Sequence, residues 1–153
     1  MPYVLDTQVF LDMVCGFLRE GQQHVAIPVA GTSMVPFLHD GDTVYLDLPD
    51  SPLKKGDIVL YTRVGGRYIL HRIQKVLPDG GFVMVGDAQQ ELELIPDRAQ
   101  IHARVTSALC RGKPTRPGKF RWWLYQHVWL WLLPVRYRLM TVAPKLKFWK
   151  KRK

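Results

Sequence analysis

Apolar residues recur at helical spacing near the start of the chain, where Phe10, Met13, Val14 and Phe17 share a face that Leu11 and Leu18 widen. Asp6 or Thr7 can cap this segment, and Gly21 stands where a helix end favours positive φ, so the pattern predicts a helix over 7–20. From there to about residue 110 the period shortens. Segments 25–29, 43–48, 57–63, 68–77, 81–85 and 101–109 are rich in β-branched or aromatic residues, and each is bounded by Gly, Pro or Asp. Asp40-Gly41-Asp42, Lys55-Gly56-Asp57, Gly65-Gly66 and Pro78-Asp79-Gly80-Gly81 are turns by chemistry, the last two closing consecutive hairpins. A mainly β body with one leading helix follows, over residues 1–110.

The pattern changes again at 111–119, where Pro, Gly and charge combine as in a linker. Beyond it, Trp122 to Leu133 is mostly apolar, interrupted by Gln126 and His127 and closed by Pro134. Crossing a bilayer takes about 20 apolar residues, which this run does not reach. Charge marks the same division. Residues 1–110 hold 9 Lys/Arg against 13 Asp/Glu, a net of −4, whereas 111–153 hold 13 Lys/Arg and no acid. All five tryptophans, Trp122, Trp123, Trp129, Trp131 and Trp149, lie in the basic part, so 120–153 reads as a Trp-rich helical tail with its own purpose.

With 153 residues, 47% of them hydrophobic, the chain can build a genuine core and is not a disordered tail protein. Cys15 and Cys110 lie in apolar stretches and read as small buried hydrophobes rather than a disulfide framework. The N-terminus lacks a basic region followed by an apolar one, so neither a secretory signal nor a leading anchor is expected there.

Candidate chemistry begins at Gly31-Thr32-Ser33-Met34-Val35-Pro36, closely followed by Gly41-Asp42-Thr43-Val44. A serine in a Gly-rich turn after a strand can present its hydroxyl outward, with backbone N–H groups free to meet an oxyanion. It can equally be a simple turn serine. A nucleophile needs a base from elsewhere in the fold. His24, His39 and His102 read as loop or strand-surface residues and His127 belongs to the tail, but His71 shares a strand face with Ile69 and Ile73, where its ring must find a partner. Gly86-Asp87 ends a later strand, with Glu91 and Glu93 close behind. A carboxylate beside an imidazole fixes its tautomer, the third role of a Ser-His-acid site.

In this order the blocks resemble the signal peptidase I-like (S24/S26-type) serine peptidases, related in fold to self-cleaving SOS repressors, from about Ile27 to Leu109. The resemblance rests on Gly31-x-Ser33-Met34-x-Pro36, Gly41-Asp42-x-Val44, Gly56-Asp57-Ile58-Val59, Leu70-His71-Arg72-Ile73 and Gly86-Asp87. It implies Ser33 as nucleophile, His71 as a histidine base where many relatives use lysine, and Asp87 as its orienter. Glu91 and Glu93 both stand near the place of a further acid. Where some members carry a second serine hydroxyl this chain has Gly31, so the oxyanion hole must rely on backbone donors such as the Ser33 N–H. The family's usual N-terminal membrane anchor is replaced by a soluble-looking helix.

The expected activity is cleavage of a precursor or leader peptide, or a preprotein, through an acyl-enzyme. No cofactor or metal is called for. The alternative is a non-catalytic peptide-binding module on the same fold. Tryptophans flanked by cations suit the headgroup layer of a membrane. Nucleic acid is the less favoured partner, contacted by Lys145, Lys147, Lys150, Lys151, Arg152 and Lys153, and a third possibility is that the Trp-rich helix packs on the β body. Peripheral membrane association on the cytoplasmic face is the favoured location.

Overall fold

The computed structural model describes residues 6–136 and 138–140. Asp6 caps helix α1 (Thr7–Arg19) by accepting the Gln8 N–H at 2.7 Å, and Gly21 takes φ 94° just past its end. The helix is where the periodicity put it, but its buried stripe is Leu11, Val14, Cys15 and Leu18, leaving Met13 and Phe17 exposed. Both stripes have helical spacing, and the surface beneath the helix decides which one turns inward.

Eight strands follow: β1 (Val25–Pro28), β2 (Thr43–Asp47), β3 (Ile58–Thr62), β4 (Tyr68–Val76), β5 (Phe82–Val85), β6 (Glu93–Ile95), β7 (Ile101–Cys110) and β8 (Lys113–Thr115). They form one antiparallel sheet in the order β1-β2-β7-β3-β4-β5-β6, with β8 paired to β7. Hairpins close β3 to β4 through Arg63 N–H to Arg67 C=O, and β4 to β5 through Leu77 N–H to Gly81 C=O. The body is mainly β with a leading helix and a short helical region after it.

Side-chain alternation along the strands feeds two cores. Ile58 and Leu60 of β3 enter the first, with α1, Phe37, Val44, Leu46, Ala103 and both free cysteines, Cys15 and Cys110. Val59 and Tyr61 enter the second, with Ile73, Phe82, Met84, Ile95 and Ile101. The β3–β7 register shifts between Leu60 and Tyr61, which pair with Ala103 and Ile101. That bulge lets Ile101 supply the second core while Ala103 supplies the first.

The segment expected as a linker is instead structured. The chain turns at Arg111 and Gly112, both with positive φ, and returns as β8, whose Pro114 and exposed flanks gave it the composition of a linker. Helix α2 (Phe120–Trp123) then runs into a π-helical turn, Leu124–Trp129, with further helical turns to 136 and at 138–140. Trp122 is buried in the first core and meets the Phe37 ring edge-on at 5.3 Å. The start of the tail therefore belongs to the body. No helix among the described residues is long and apolar enough to cross a membrane.

Removing the Trp122 side chain should expose this dependence. Trp122→Ala is expected to lower unfolding stability by about 3–5 kcal/mol in denaturant titration. Its neighbour Trp123 is half-exposed, so Trp123→Ala should stay within about 0.5 kcal/mol. Equal losses would show that the helix does not complete the core.

Candidate functional site

Ser33 lies in the irregular segment between β1 and β2, half-buried, on a turn anchored from below by fully buried Met34, Phe37 and Leu38. Two carboxylates tie that segment together. Asp40 accepts the Gly31 N–H at 2.8 Å, while buried Asp42 accepts the N–H groups of His39 and Arg111. The sequence block from Gly31 to Asp42 is therefore a self-bonded platform, with Gly31 and Gly41 both at φ 84°. Among the described residues no backbone or side-chain acceptor takes the Ser33 N–H.

The Ser33 carbonyl accepts the Ala88 N–H at 2.8 Å, joining the serine turn to the turn after β5. Gly86 makes that approach possible, because a Cβ there would lie 2.6 Å from the Ser33 oxygen. Across the sheet Arg72 of β4 pairs with Val85 of β5, and continuing that register by one residue puts Gly86 opposite His71. The serine turn thus packs against the end of β5, whose Val85 pairs with the residue after His71. No hydrogen bond joins the side chains of Ser33 and His71 among the described residues.

His71 is buried on the second-core face of β4, and its Nδ1 lies 3.3 Å from the Tyr61 hydroxyl. Tyr61 donates its single hydroxyl proton to Glu93 Oε2 at 2.6 Å, and Arg63 donates to the same oxygen at 2.8 Å. The phenol oxygen can then only accept from the ring, so Nδ1 carries the proton and Nε2 keeps its lone pair. Burial pushes the His71 pKa down to about 4, against the opposing pull of Glu93. Burial works against charge on Glu93 as well, but hydrogen bonds from Tyr61 and Arg63 hold its carboxyl below the ordinary value. Burial, reinforced by Glu93, raises the Tyr61 pKa, so the phenol stays protonated.

Asp87 makes its hydrogen bonds to Arg72, and among the described residues it reaches His71 through its charge alone, which favours the protonated ring. Both Asp87 oxygens accept from Arg72, Oδ1 from Nε at 2.9 Å and Oδ2 from a terminal nitrogen at 2.7 Å, with neither side chain exposed. Adjacent strand residues point to opposite faces, so Arg72 and its carboxylate lie across the sheet from the His71 ring. Arg72 also donates to the Gly56 carbonyl and sits 5.0 Å from the centre of the Phe37 ring. Of the two further acids, Glu93 reaches the network and Glu91 is exposed.

Sequence reasoning passed over Tyr61, Arg63 and Arg72. Tyr61 lies diagonally across from His71 in the β3–β4 register, where Val59 faces His71 and Tyr61 faces Ile69. Alternation within the paired strands was the available signal. Among the described residues no cluster is placed to hold a metal.

Four of the expected membrane-facing tryptophans are described, and two of them turn inward. Trp122 is core, and Trp129 donates its indole N–H to the Asp87 carbonyl at 2.9 Å. An amphipathic helix laid on the body must bury one face, and these residues lie on it. Trp123 and Trp131 are exposed. Trp149 and the lysine-rich end lie outside the described residues.

An antiparallel β body with a serine turn set against a histidine strand has the architecture of a serine peptidase-like domain. Over residues 3–106 the sequence matches the family described as Peptidase S24-like, and the chain belongs to that family. No curated protein and no solved structure matches it.

The Arg72–Asp87 pair can be tested directly. Removing one partner strands a buried charge, so Asp87→Asn and Arg72→Met should each cost about 3–5 kcal/mol. In a double-mutant cycle the combined loss should fall well short of the sum. Additive losses in thermal or denaturant unfolding would show that the two side chains do not act as a unit.

Proposed function

We propose that the protein is a serine endopeptidase of signal-peptidase type that cleaves a precursor or leader peptide through an acyl-enzyme. The observation that carries this reading is the bonding of His71, whose Nδ1–H is committed to Tyr61, leaving Nε2 free as a base. Ser33 Oγ attacks the scissile carbonyl carbon as its proton passes to Nε2. The Ser33 N–H faces the oxygen that becomes negative, and Gly31 keeps side-chain bulk away from it. The imidazolium then protonates the leaving amine, and a water activated by the same nitrogen releases the acyl group. Glu93 acts at one remove, its negative charge reaching the imidazolium through the Tyr61 hydroxyl. Asp87 serves as scaffold for the serine turn.

Exposed Trp123, stacked on Phe120, and exposed Trp131 support a peripheral role at an anionic lipid surface, where cations of the 111–153 segment would meet headgroups. The cytoplasmic face is the side we favour for it. The competing reading, a peptide-binding module without catalysis, is separated from ours by one residue.

Ser33→Ala should abolish cleavage of a candidate precursor, read by mass spectrometry, while leaving the fold intact. Equal cleavage by mutant and wild type removes Ser33 from the chemistry. The pH profile tests the base. With the His71 pKa lowered to about 4, kcat/KM should stay level down to about pH 5 and fall below it, whereas an unperturbed ring would put the limb near ~6.5. Between those two values the unfolded chain binds a proton that the native ring refuses, so His71 makes stability fall as the pH is lowered through that window. Tyr61→Phe leaves Nδ1–H without an acceptor and should reduce kcat by about tenfold, roughly one hydrogen bond's worth. An acid limb near neutrality, or an unaltered Tyr61→Phe enzyme, would break the proposed relay.

Liposome pelleting checks the lipid reading. Trp123→Ala with Trp131→Ala should weaken sedimentation with anionic vesicles, and raising salt should weaken it further because part of the attraction is screened. Unchanged sedimentation of the double variant would place the lipid contact elsewhere or nowhere.

A further inference from the structure

The helical segment after residue 120 lies outside the family-matched region, yet its Trp129 indole and one terminal nitrogen of Arg136 donate to the turn that is bonded to Ser33. Trp129 donates to the Asp87 carbonyl at 2.9 Å. Arg136, only 1% exposed, donates to the Gly86 carbonyl at 2.7 Å and also to the Gln89 carbonyl. Its guanidinium stands 5.9 Å from the centre of the Trp129 ring. Three carbonyls of one four-residue turn are thus taken by two side chains of this segment.

The Asp87 carbonyl and the Ala88 N–H belong to the same peptide unit, and in a trans peptide they point in opposite directions. Trp129 holds the oxygen end of that plane. Its N–H end donates to the Ser33 carbonyl at 2.8 Å. A single rigid plane therefore carries a hydrogen-bonded chain from the Trp129 indole to the backbone of Ser33, and such chains strengthen each member by mutual polarisation. Arg136 holds the carbonyl just before the plane and another two residues beyond it, and the plane itself cannot rotate without breaking the bonds at its two ends. Gly86 leaves room for this approach, since a Cβ there would lie 2.6 Å from the Ser33 oxygen.

We infer that Trp129 and Arg136 are positioning residues for Ser33, acting through the Asp87–Ala88 peptide plane. The inference rests on the reading of Ser33 as nucleophile. The segment is a strap over the site's rear, and its loss of grip would leave the serine turn present but misaligned. Catalytic geometry tolerates little displacement, so the effect belongs in kcat rather than in substrate binding.

The test uses the full chain with Trp129→Phe, Arg136→Gln and Arg136→Lys, and Val135→Ala on the exposed side of the same helix as control. Measured for each are kcat and KM, the rate of Ser33 acylation by a fluorophosphonate probe, hydrogen exchange of the Ala88 amide, and the melting temperature. Trp129→Phe keeps the ring and deletes one donor. It should melt near the wild-type temperature, lose about five- to tenfold in kcat and acylation rate with KM within about twofold, and exchange the Ala88 amide faster by a similar factor. Arg136→Gln should lose more, and Arg136→Lys should recover part of it, since one donor can still reach a carbonyl. Val135→Ala should match wild type. Wild-type kcat and Ala88 exchange in Trp129→Phe overturns the inference, as does faster exchange with undiminished acylation. Absence of acylation in the wild-type chain would instead defeat the nucleophile assignment, and Ala88 exchange alone would then decide whether the strap holds the turn.

Discussion

One buried ion pair ties the sequence blocks together. Arg72 uses its Nε and one terminal nitrogen on Asp87 and the other on the Gly56 carbonyl, while its guanidinium carbon sits over the Phe37 ring. Taking both charges out of water is expensive, and only good geometry with each guanidinium nitrogen hydrogen-bonded offsets it. Each partner stands beside something the site needs. His71 precedes Arg72, Gly86 and Ala88 flank Asp87, Gly56 opens the way into β3, and Phe37 anchors the serine turn. The pair acts as a keystone, and it explains why a Gly-Asp turn, a His-Arg strand and a distant glycine fall in one chain.

The sheet keeps the Arg72–Asp87 pair and the Tyr61–His71 hydrogen-bond network on separate faces. On one side the ion pair, Phe37 and the helical strap fix where backbone segments lie. On the other, Arg63, Glu93 and Tyr61 set the charge and tautomer of His71. A carboxylate bound directly to the ring would share its field with Arg72 if Asp87 filled that role. With Tyr61 between, Glu93 is kept ionised by two donors and the imidazole remains neutral in its low-dielectric surroundings.

The hydrophobic pattern located the leading helix and the longer strands because each carries several residues of one period. It could not reveal β6, where Glu93, Leu94 and Ile95 are too few for alternation to register. Nor could it reveal β8, whose proline and lysine imitate a linker. The helix phase was ambiguous for a different reason. Two apolar stripes share the same spacing, and the choice depends on long-range packing. Ser33, His71 and Asp87 were legible as motif residues, whereas the ion pair that Asp87 makes with Arg72 was not, because adjacency in a motif says nothing about which side chains meet across the sheet. Tryptophan in the tail was equally two-sided: the same residue type serves the core at Trp122 and solvent at Trp131.

The opposed orientation of His71 and Arg72 makes strand registry an all-or-nothing matter. A slip of β4 by one residue would carry the guanidinium into the apolar second core and leave the imidazole over Phe37, with Asp87 unpaired and Tyr61 facing a hydrocarbon. Many strands tolerate such errors as brief misfolded excursions. Here the misregistered hairpin would strand a charge on each side of the sheet at once, so the arrangement that buries the imidazole beside Tyr61 also penalises a slipped hairpin.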